Sequence, residues 1–185
     1  RPVIEEFLAK RGLRLSPEKT TITHIKDGFG FLGQDIRKLV RKLIITPSKE
    51  GFDTLIRSIG SLIRRHTSAP MDVLITKLNQ LLRGWANYHR HVVASVAFSR
   101  VDSYVYHQLW RMLHRRHLNK STGWLSKHYW STGKKHECGW VKKQKTGNRL
   151  YRVLRVCSLK IVRHIKIKAD ANPYLKGGVL GTTFS

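Results

Sequence analysis

A chain of 185 residues, 41% of them hydrophobic, is long enough and apolar enough to bury a core, which excludes a disordered polyelectrolyte. Its 36 Lys+Arg against 11 Asp+Glu leave a formal net charge of +25, and on a folded protein that charge points to a polyanionic partner held by salt-sensitive contacts. No apolar run approaches the roughly 20 residues of a membrane span and no signal-peptide pattern opens the chain, so neither membrane insertion nor secretion is expected.

In chain order, Pro2 to Lys10 reads as the body of an amphipathic helix with Val3, Ile4, Phe7 and Leu8 on one side, closed by Gly12 as a left-handed cap. A chain that starts at Arg1 inside such an element is expected to be a piece of something longer. Ser16-Pro17 marks a turn, and Lys19 to Ile25 alternates polar and apolar as a half-buried strand does. Asp27-Gly28 is then the hairpin turn, GFGFLGQDIR the returning strand, and Leu43 to Thr46 a third strand closed by Pro47.

From Ser48 the apolar period lengthens to that of a helix, with Leu55, Ile56, Ile59, Leu62 and Ile63 on one stripe and Arg57, Arg64 and Arg65 off it. Thr67 to Pro70 breaks that helix. A second begins at Ser68 or at Ala69-Pro70, carries Asp72 in its first turn where the dipole favours an acid, and runs to about Val93. Its stripe is Leu74, Leu78, Leu81, Leu82, Trp85, Tyr88 and Val92. Phe98, Val101, Tyr104, Val105, Leu109 and Met112 trace a third helix ending in the basic cluster Arg111 to His117, and Trp124, Leu125, His128 and Tyr129 a fourth, shorter one. Beyond Ser131 glycine turns separate short β-prone pieces, with Gly147-Asn148 as a hairpin tip and Val153 to Val162 extending the pairing. Asn172-Pro173-Tyr174 ends the ordered part, and a flexible tail follows.

The charge sits mostly in the second half. Residues 1–53 hold 11 Lys+Arg and 7 Asp+Glu, whereas residues 103–168 hold 17 Lys+Arg and the single acid Glu137. Arg83, Arg90, Arg100, Arg111, Arg115 and Arg116 lack acids at helical spacing that would pair with them, so they are the leading candidates for contact with nucleic acid. Trp85 lies on the apolar stripe and reads as core. Tyr88 can pack its ring while its hydroxyl reaches a phosphate or a backbone group. His89, His91, His114 and His117 read as RNA-contacting or capping groups, because only Asp72 and Asp102 lie near enough in sequence to orient a general base. Lys134, Lys135, Lys142, Lys143 and Lys145 stand on glycine-punctuated loops, where long cations follow a phosphate backbone. Cys138 and Cys157, even with His136 and His164, do not reach metal-ligand spacing and read as thiols in a reducing compartment. No catalytic or metal-binding residue is assigned.

GLRLSPEKTTITHI followed by GFGFLGQDIR resembles the last block of the reverse transcriptase domain of group II intron-encoded proteins. LNQLLRGWANYHR, VDSYVYHQLWRMLHRRH and IVRHIKIKADANPY are similar to the thumb and maturase domain, or domain X, of the same family, in the same order, over roughly Val3 to Tyr174. The resemblance implies an α+β fragment. Residues 1–47 would be the antiparallel end of the reverse transcriptase palm, 48–130 the maturase-specific helices, 131–175 a basic β-containing part, and 176–185 the tail. It implies group II intron RNA as partner and splicing assisted by stabilising the folded RNA, in a bacterial cytoplasm or an organelle. In the family the polymerase site is a Tyr-Ala-Asp-Asp hairpin that binds magnesium. No such hairpin is present here, and Asp27 and Asp35 lack a partner at the spacing two-metal chemistry needs, so magnesium is expected in the RNA and in the parent's polymerase site, with no cofactor in this chain. Two other readings stand beside this one: the thumb of an active RNA-directed DNA polymerase gripping primer-template, and a generic basic RNA-binding module or decayed mobile-element remnant. The oligomeric state is left open.

Overall fold

The computed structural model describes residues 2–18, 20–40, 42–132, 138–143 and 150–162, with the side chains of Thr132, Cys138 and Lys143 left out. The order is α1 (Pro2–Ala9), β1 (Phe29–Phe31), β2 (Gln34–Leu39), β3 (Lys42–Pro47), α2 (Lys49–Arg65), α3 (Met71–His89), α4 (Ser95–Arg116), α5 (Thr122–Tyr129), β4 (Trp130–Thr132), β5 (Cys138–Lys143) and β6 (Leu150–Arg152). A 3₁₀ turn, Val156–Ser158, follows. The described residues thus form an α+β fold with two antiparallel three-stranded sheets, β1-β2-β3 and β4-β5-β6, one before and one after helices α2–α5 in sequence.

Helix α1 closes as its glycine foretells. Gly12 takes φ +71°, the Gly12 amide donates to the Ala9 carbonyl at 3.0 Å, and the Leu13 amide to the Leu8 carbonyl at 3.0 Å, a Schellman closure. The first sheet departs from the sequence reading. Lys19 to Ile25 forms no strand among its described residues, and the hairpin turns at Leu32-Gly33, where φ is +48° and +71°, as a two-residue primed turn requires. Phe31 pairs with Gln34 across it. A left-handed leucine costs about 1–2 kcal/mol. Tertiary bonds hold it: the Tyr88 hydroxyl donates to the Leu32 carbonyl at 2.6 Å, and the Ser48 amide to the Gly33 carbonyl at 2.9 Å. Gly28 instead serves a close approach, since a Cβ there would lie 3.2 Å from the Ile36 carbonyl. The loop before it runs along β2 through Lys38 N–H to the Ile25 carbonyl at 3.0 Å.

Ser48 caps α2, its Oγ accepting from the Gly51 amide at 3.1 Å, with Glu50 in the first turn and Arg64 and Arg65 in the last to match the dipole. Pro70 occupies the N-cap of α3, so that helix begins at the later of the two sites read from sequence. It also stops sooner than Val93. The Val93 amide leaves the helical ladder to donate to the Ile45 carbonyl of β3 at 2.9 Å, tying the first sheet to the helices. Ser121 caps α5.

The core is drawn from Leu55, Ile59 and Ile63 of α2, Leu74, Leu78 and Leu82 of α3, Phe98, Val101, Val105, Leu109 and Leu113 of α4, and Leu125 of α5. Burial of each such side chain contributes roughly 1.5–3 kcal/mol. Trp85 packs against this cluster, 5.7 Å from Phe98 and 6.4 Å from Phe52 between ring centroids, as its stripe position indicates. Helices α2 and α4 approach closely at Gly60, where an added Cβ would lie 2.8 Å from the Tyr104 hydroxyl oxygen. Trp140 of β5 joins this core, as do Val153 and Val156 from the segment that follows β6. Val153 to Val162 is not a strand: after the Val153 amide donates to the Trp140 carbonyl, the chain turns into the 3₁₀ segment. Gly147-Asn148, Asn172-Pro173-Tyr174 and the tail lie outside the described residues.

Candidate nucleic-acid interface

Helix α4 presents Arg100, Tyr104, His107, Arg111 and Arg115 at steps of three and four, on the side away from Val101, Val105 and Leu109. Arg100, His107, Arg111 and Arg115 are exposed, over about 22 Å of helix, while Tyr104 leans on Gly60. The helix has a single acid, Asp102, and its charge is directed elsewhere. One carboxylate oxygen accepts from the Val156 amide at 2.7 Å and the other from the Cys157 amide at 2.9 Å, so Asp102 caps the 3₁₀ turn. Among the described residues no carboxylate pairs with Arg100, Arg111 or Arg115. A row of guanidinium groups without counter-charges suits a row of phosphates.

The outer face of α3 has a different character. Thr76, Gln80, Arg83, Asn87 and Arg90 share it and are exposed. Gln80, Arg83, Gly84 and Asn87 line a groove of about 740 Å³ against β6, with Arg152 on the other wall. Asn79 sets its floor, donating from Nδ2 to the Arg152 carbonyl and accepting at Oδ1 from the Leu154 amide, both at 2.7 Å. Gly84 has no atom within 4 Å of a built Cβ, so the groove stays open there. Amide donors and acceptors beside two guanidinium groups can engage sugars and base edges as well as phosphates. Arg152 was missed from sequence. Its one signal is alternation in LYRVLR, which places the arginine on the face opposite the buried Val153.

A third strip lies along α2. Arg57 donates to Thr54 Oγ1 at 3.1 Å, and Arg65 Nη2 to Ser61 Oγ at 2.8 Å, which orients both guanidinium groups beside a groove that His66 also lines. Both arginines lie off the apolar stripe of α2 and are not among the six that the sequence singles out for contact.

Three sequence candidates take structural roles instead. Tyr88 spends its hydroxyl proton on the Leu32 carbonyl, the backbone option, while the residue as a whole stays 48% exposed. His89 is a correction: it is buried at 3% exposure, with its ring 4.6 Å from Trp85 and 4.8 Å from Tyr88. Burial, and secondarily the charge of His91, lowers its pKa to about 4, so it is neutral at pH 7 and withdrawn from any contact surface. Helical spacing places position 89 beside Leu82 and Ala86, and that was the available signal. Arg116 is the second correction. Its Nε donates to the Thr67 carbonyl at 2.9 Å, and its Nη2 reaches the carbonyls of His66 at 3.3 Å, Thr67, and Ala69 at 2.9 Å. The guanidinium closes the loop between α2 and α3, where carbonyls at the end of α2 concentrate negative potential.

Of the remaining histidines, His117 bonds the Tyr129 hydroxyl at 3.0 Å and His91 the Gln34 amide at 3.1 Å. Burial lowers the His117 pKa, assisted by the positive charges of Arg116 and Lys142. Lys142 is half-buried with Nζ 5.4 Å from the Tyr129 ring. Lys134, Lys135, Lys145 and the side chain of Lys143 lie outside the described residues, as do His136 and His164. Among the described residues no three metal-ligating side chains converge, and no helix is long and apolar enough to cross a membrane.

Residues 52–130, which run from the first turn of α2 into the start of β4, match the family described as Group II intron, maturase-specific domain. No curated protein matches the chain.

Proposed function

We propose, for a chain that carries the group II intron maturase-specific domain over residues 52–130, that it binds folded group II intron RNA and promotes splicing by stabilising the packed RNA. The observation that carries this reading is the acid-free arginine face of α4, which lies wholly inside the matched segment. Arg100, Arg111 and Arg115 would neutralise phosphates where RNA helices crowd together, and the α3 groove around Arg83 would add hydrogen bonds that depend on RNA shape. The protein's part is binding energy. The transesterifications belong to the RNA and its own magnesium.

A competition titration at about 0.15 M salt, a level that suppresses much non-specific phosphate binding, tests this. Labelled group II intron RNA is competed with an unrelated structured RNA of equal length. The intron is expected to win by about a hundredfold, within the range that separates specific from non-specific sites for nucleic-acid-binding proteins. The triple variant Arg100→Gln, Arg111→Gln, Arg115→Gln should lower the salt dependence by close to three counterions. Equal competition by the two RNAs would refute the reading.

A further inference from the structure

The basic strip on α2 is separate from the arginine face of α4. Thr54, Ser58, Ser61 and Arg65 recur on α2 at steps of three and four and line a groove of about 550 Å³, with Leu62 and, from α3, Leu81 supplying its apolar lining. Position 60 lies about 100° or more around α2 from all four, and Gly60 is where α2 meets Tyr104 of α4. Around α4, Arg100, Arg111 and Arg115 fall within about 40° of Tyr104. The arginine face of α4 and the α2–α3 groove therefore flank α2 on opposite sides, separated by the roughly 10–12 Å breadth of a helix.

The groove suits an anion. Arg57, also in its lining, donates from Nη2 to Thr54 Oγ1 at 3.1 Å, and Arg65 donates from Nε and Nη2 to Ser61 Oγ at 3.1 and 2.8 Å. These bonds hold both guanidinium groups along the helix in advance, so less side-chain entropy is lost on binding, and each keeps further N–H donors. A third cation stands beside them. His66 Nδ1 lies 2.9 Å from the Leu62 carbonyl, which only accepts, so that nitrogen is the donor and Nε2 accepts from the Lys77 ammonium at 3.0 Å. Bonded this way, the imidazole steers Lys77 toward the groove and leaves two ammonium protons for a ligand. Among the described residues no carboxylate pairs with Arg57, Arg65 or Lys77, and the two acids of α2, Glu50 and Asp53, do not line the groove. Three cations and three hydroxyls without an acid match the phosphate and sugar oxygens of a nucleic-acid backbone.

From this geometry we infer that the α2–α3 groove holds a second backbone segment of the bound RNA, distinct from the one laid along α4, so that α2 is a spacer between two phosphate tracks. A backbone running along Arg100, Arg111 and Arg115 stays on its own flank and leaves the groove cations without counter-charge. A neighbouring segment supplies it. The inference rests on the chain being an RNA-binding protein, and it adds the structural class of RNA that is preferred: a folded RNA in which two backbones run close together.

Ethylation interference on labelled group II intron RNA resolves the individual phosphates that binding needs. The groove variant Arg57→Gln, Arg65→Gln, Lys77→Gln, all at exposed positions, should erase one set of interfering phosphates, and Arg100→Gln, Arg111→Gln, Arg115→Gln a different set. Each triple variant should lower the slope of log affinity against log salt by close to three, and the two combined by close to six. Ser58→Glu removes no cation and puts a carboxylate into the groove, and it should erase the same set as the groove variant. Arg14→Gln, Lys26→Gln, Lys38→Gln, at exposed positions before α2, should erase neither set. An unchanged slope with every interfering phosphate retained in the groove variant, as an acidic protein segment in the groove would give, overturns the inference. So does loss of the same set in both triple variants, or an equal slope change in the Arg14, Lys26 and Lys38 variant. Any of these with the intron preference intact sinks the groove alone. Equal competition between intron and unrelated RNA, with slope reductions that still add, sinks the splicing role and leaves the second track standing.

Discussion

Replacing Arg116 with methionine keeps most of the aliphatic stem and removes the guanidinium that binds the carbonyls of His66, Thr67 and Ala69. Hydrogen bonds from a charged donor contribute about 1.5–3 kcal/mol each, but these share one group and the side chain is only half-buried, so water replaces part of the loss. The net cost of Arg116→Met is therefore expected at about 2–4 kcal/mol. For a helical unit of this size that corresponds to a fall in Tm of about 10–20 °C, read by far-UV circular dichroism. Arg116→Lys, which offers one compact charge in place of a planar fork, should fall between the two. RNA affinity of the folded fraction at low temperature should stay within about twofold, since the guanidinium is engaged by the loop carbonyls. A Tm within about 2 °C of the parent, together with weakened RNA binding, would show that Arg116 is a contact residue as its sequence context suggests, and the loop-closing role would be wrong.

His89 confers a pH dependence of known sign. Its folded pKa of about 4 lies below the unfolded value near 6.5, so the unfolded chain binds the extra proton between them. Stability is full above pH 6.5 and declines by up to about 3 kcal/mol as the pH falls to 4; in urea titrations at stepped pH, His89→Phe should flatten that part of the profile, and an unchanged slope would count against it. Gly60→Ala places a Cβ 2.8 Å from the Tyr104 hydroxyl oxygen and should cost about 1–3 kcal/mol despite alanine's better helix propensity. Adding Tyr104→Phe should restore much of the loss, and a double-mutant cycle without coupling would contradict the close approach. Asp102→Ala removes both acceptors of the Val156 and Cys157 amides and should lower the urea midpoint by the equivalent of about 1–3 kcal/mol, with Asp102→Asn intermediate. Hydrogen exchange at those two amides should accelerate in step, and protection that survives would argue against the cap.

Much of the helical architecture was legible before any coordinates. The stripes Leu55-Ile59-Ile63, Leu74-Leu78-Leu82 and Val101-Val105-Leu109 are all buried, because a repeat near 3.6 residues has one geometric solution. The first hairpin was misread because Asp27-Gly28 is the better turn by composition. The Leu32-Gly33 turn prevails through bonds from Tyr88 and Ser48, residues 56 and 15 positions away. The same limit applied to the arginines. Their lack of acidic neighbours in sequence was visible for all six, but acids are not the only partners a guanidinium can find, and Arg116 found backbone carbonyls.

By itself the sequence determined the helix count of the central segment, the identity of its core and the acid-poor basic character of α4, since these follow from local periodicity and from charges that no other residue cancels. The tertiary structure alone decided which polar groups remain available. It spent Asp102 on the amides of residues 156 and 157, Arg116 on the loop at 66–69 and Tyr88 on the hairpin, buried His89, and brought Tyr106 against Trp130 and Trp140. Each of those outcomes pairs groups far apart in the chain, and a hydrogen bond or a ring contact depends on distance in space, which no local pattern encodes.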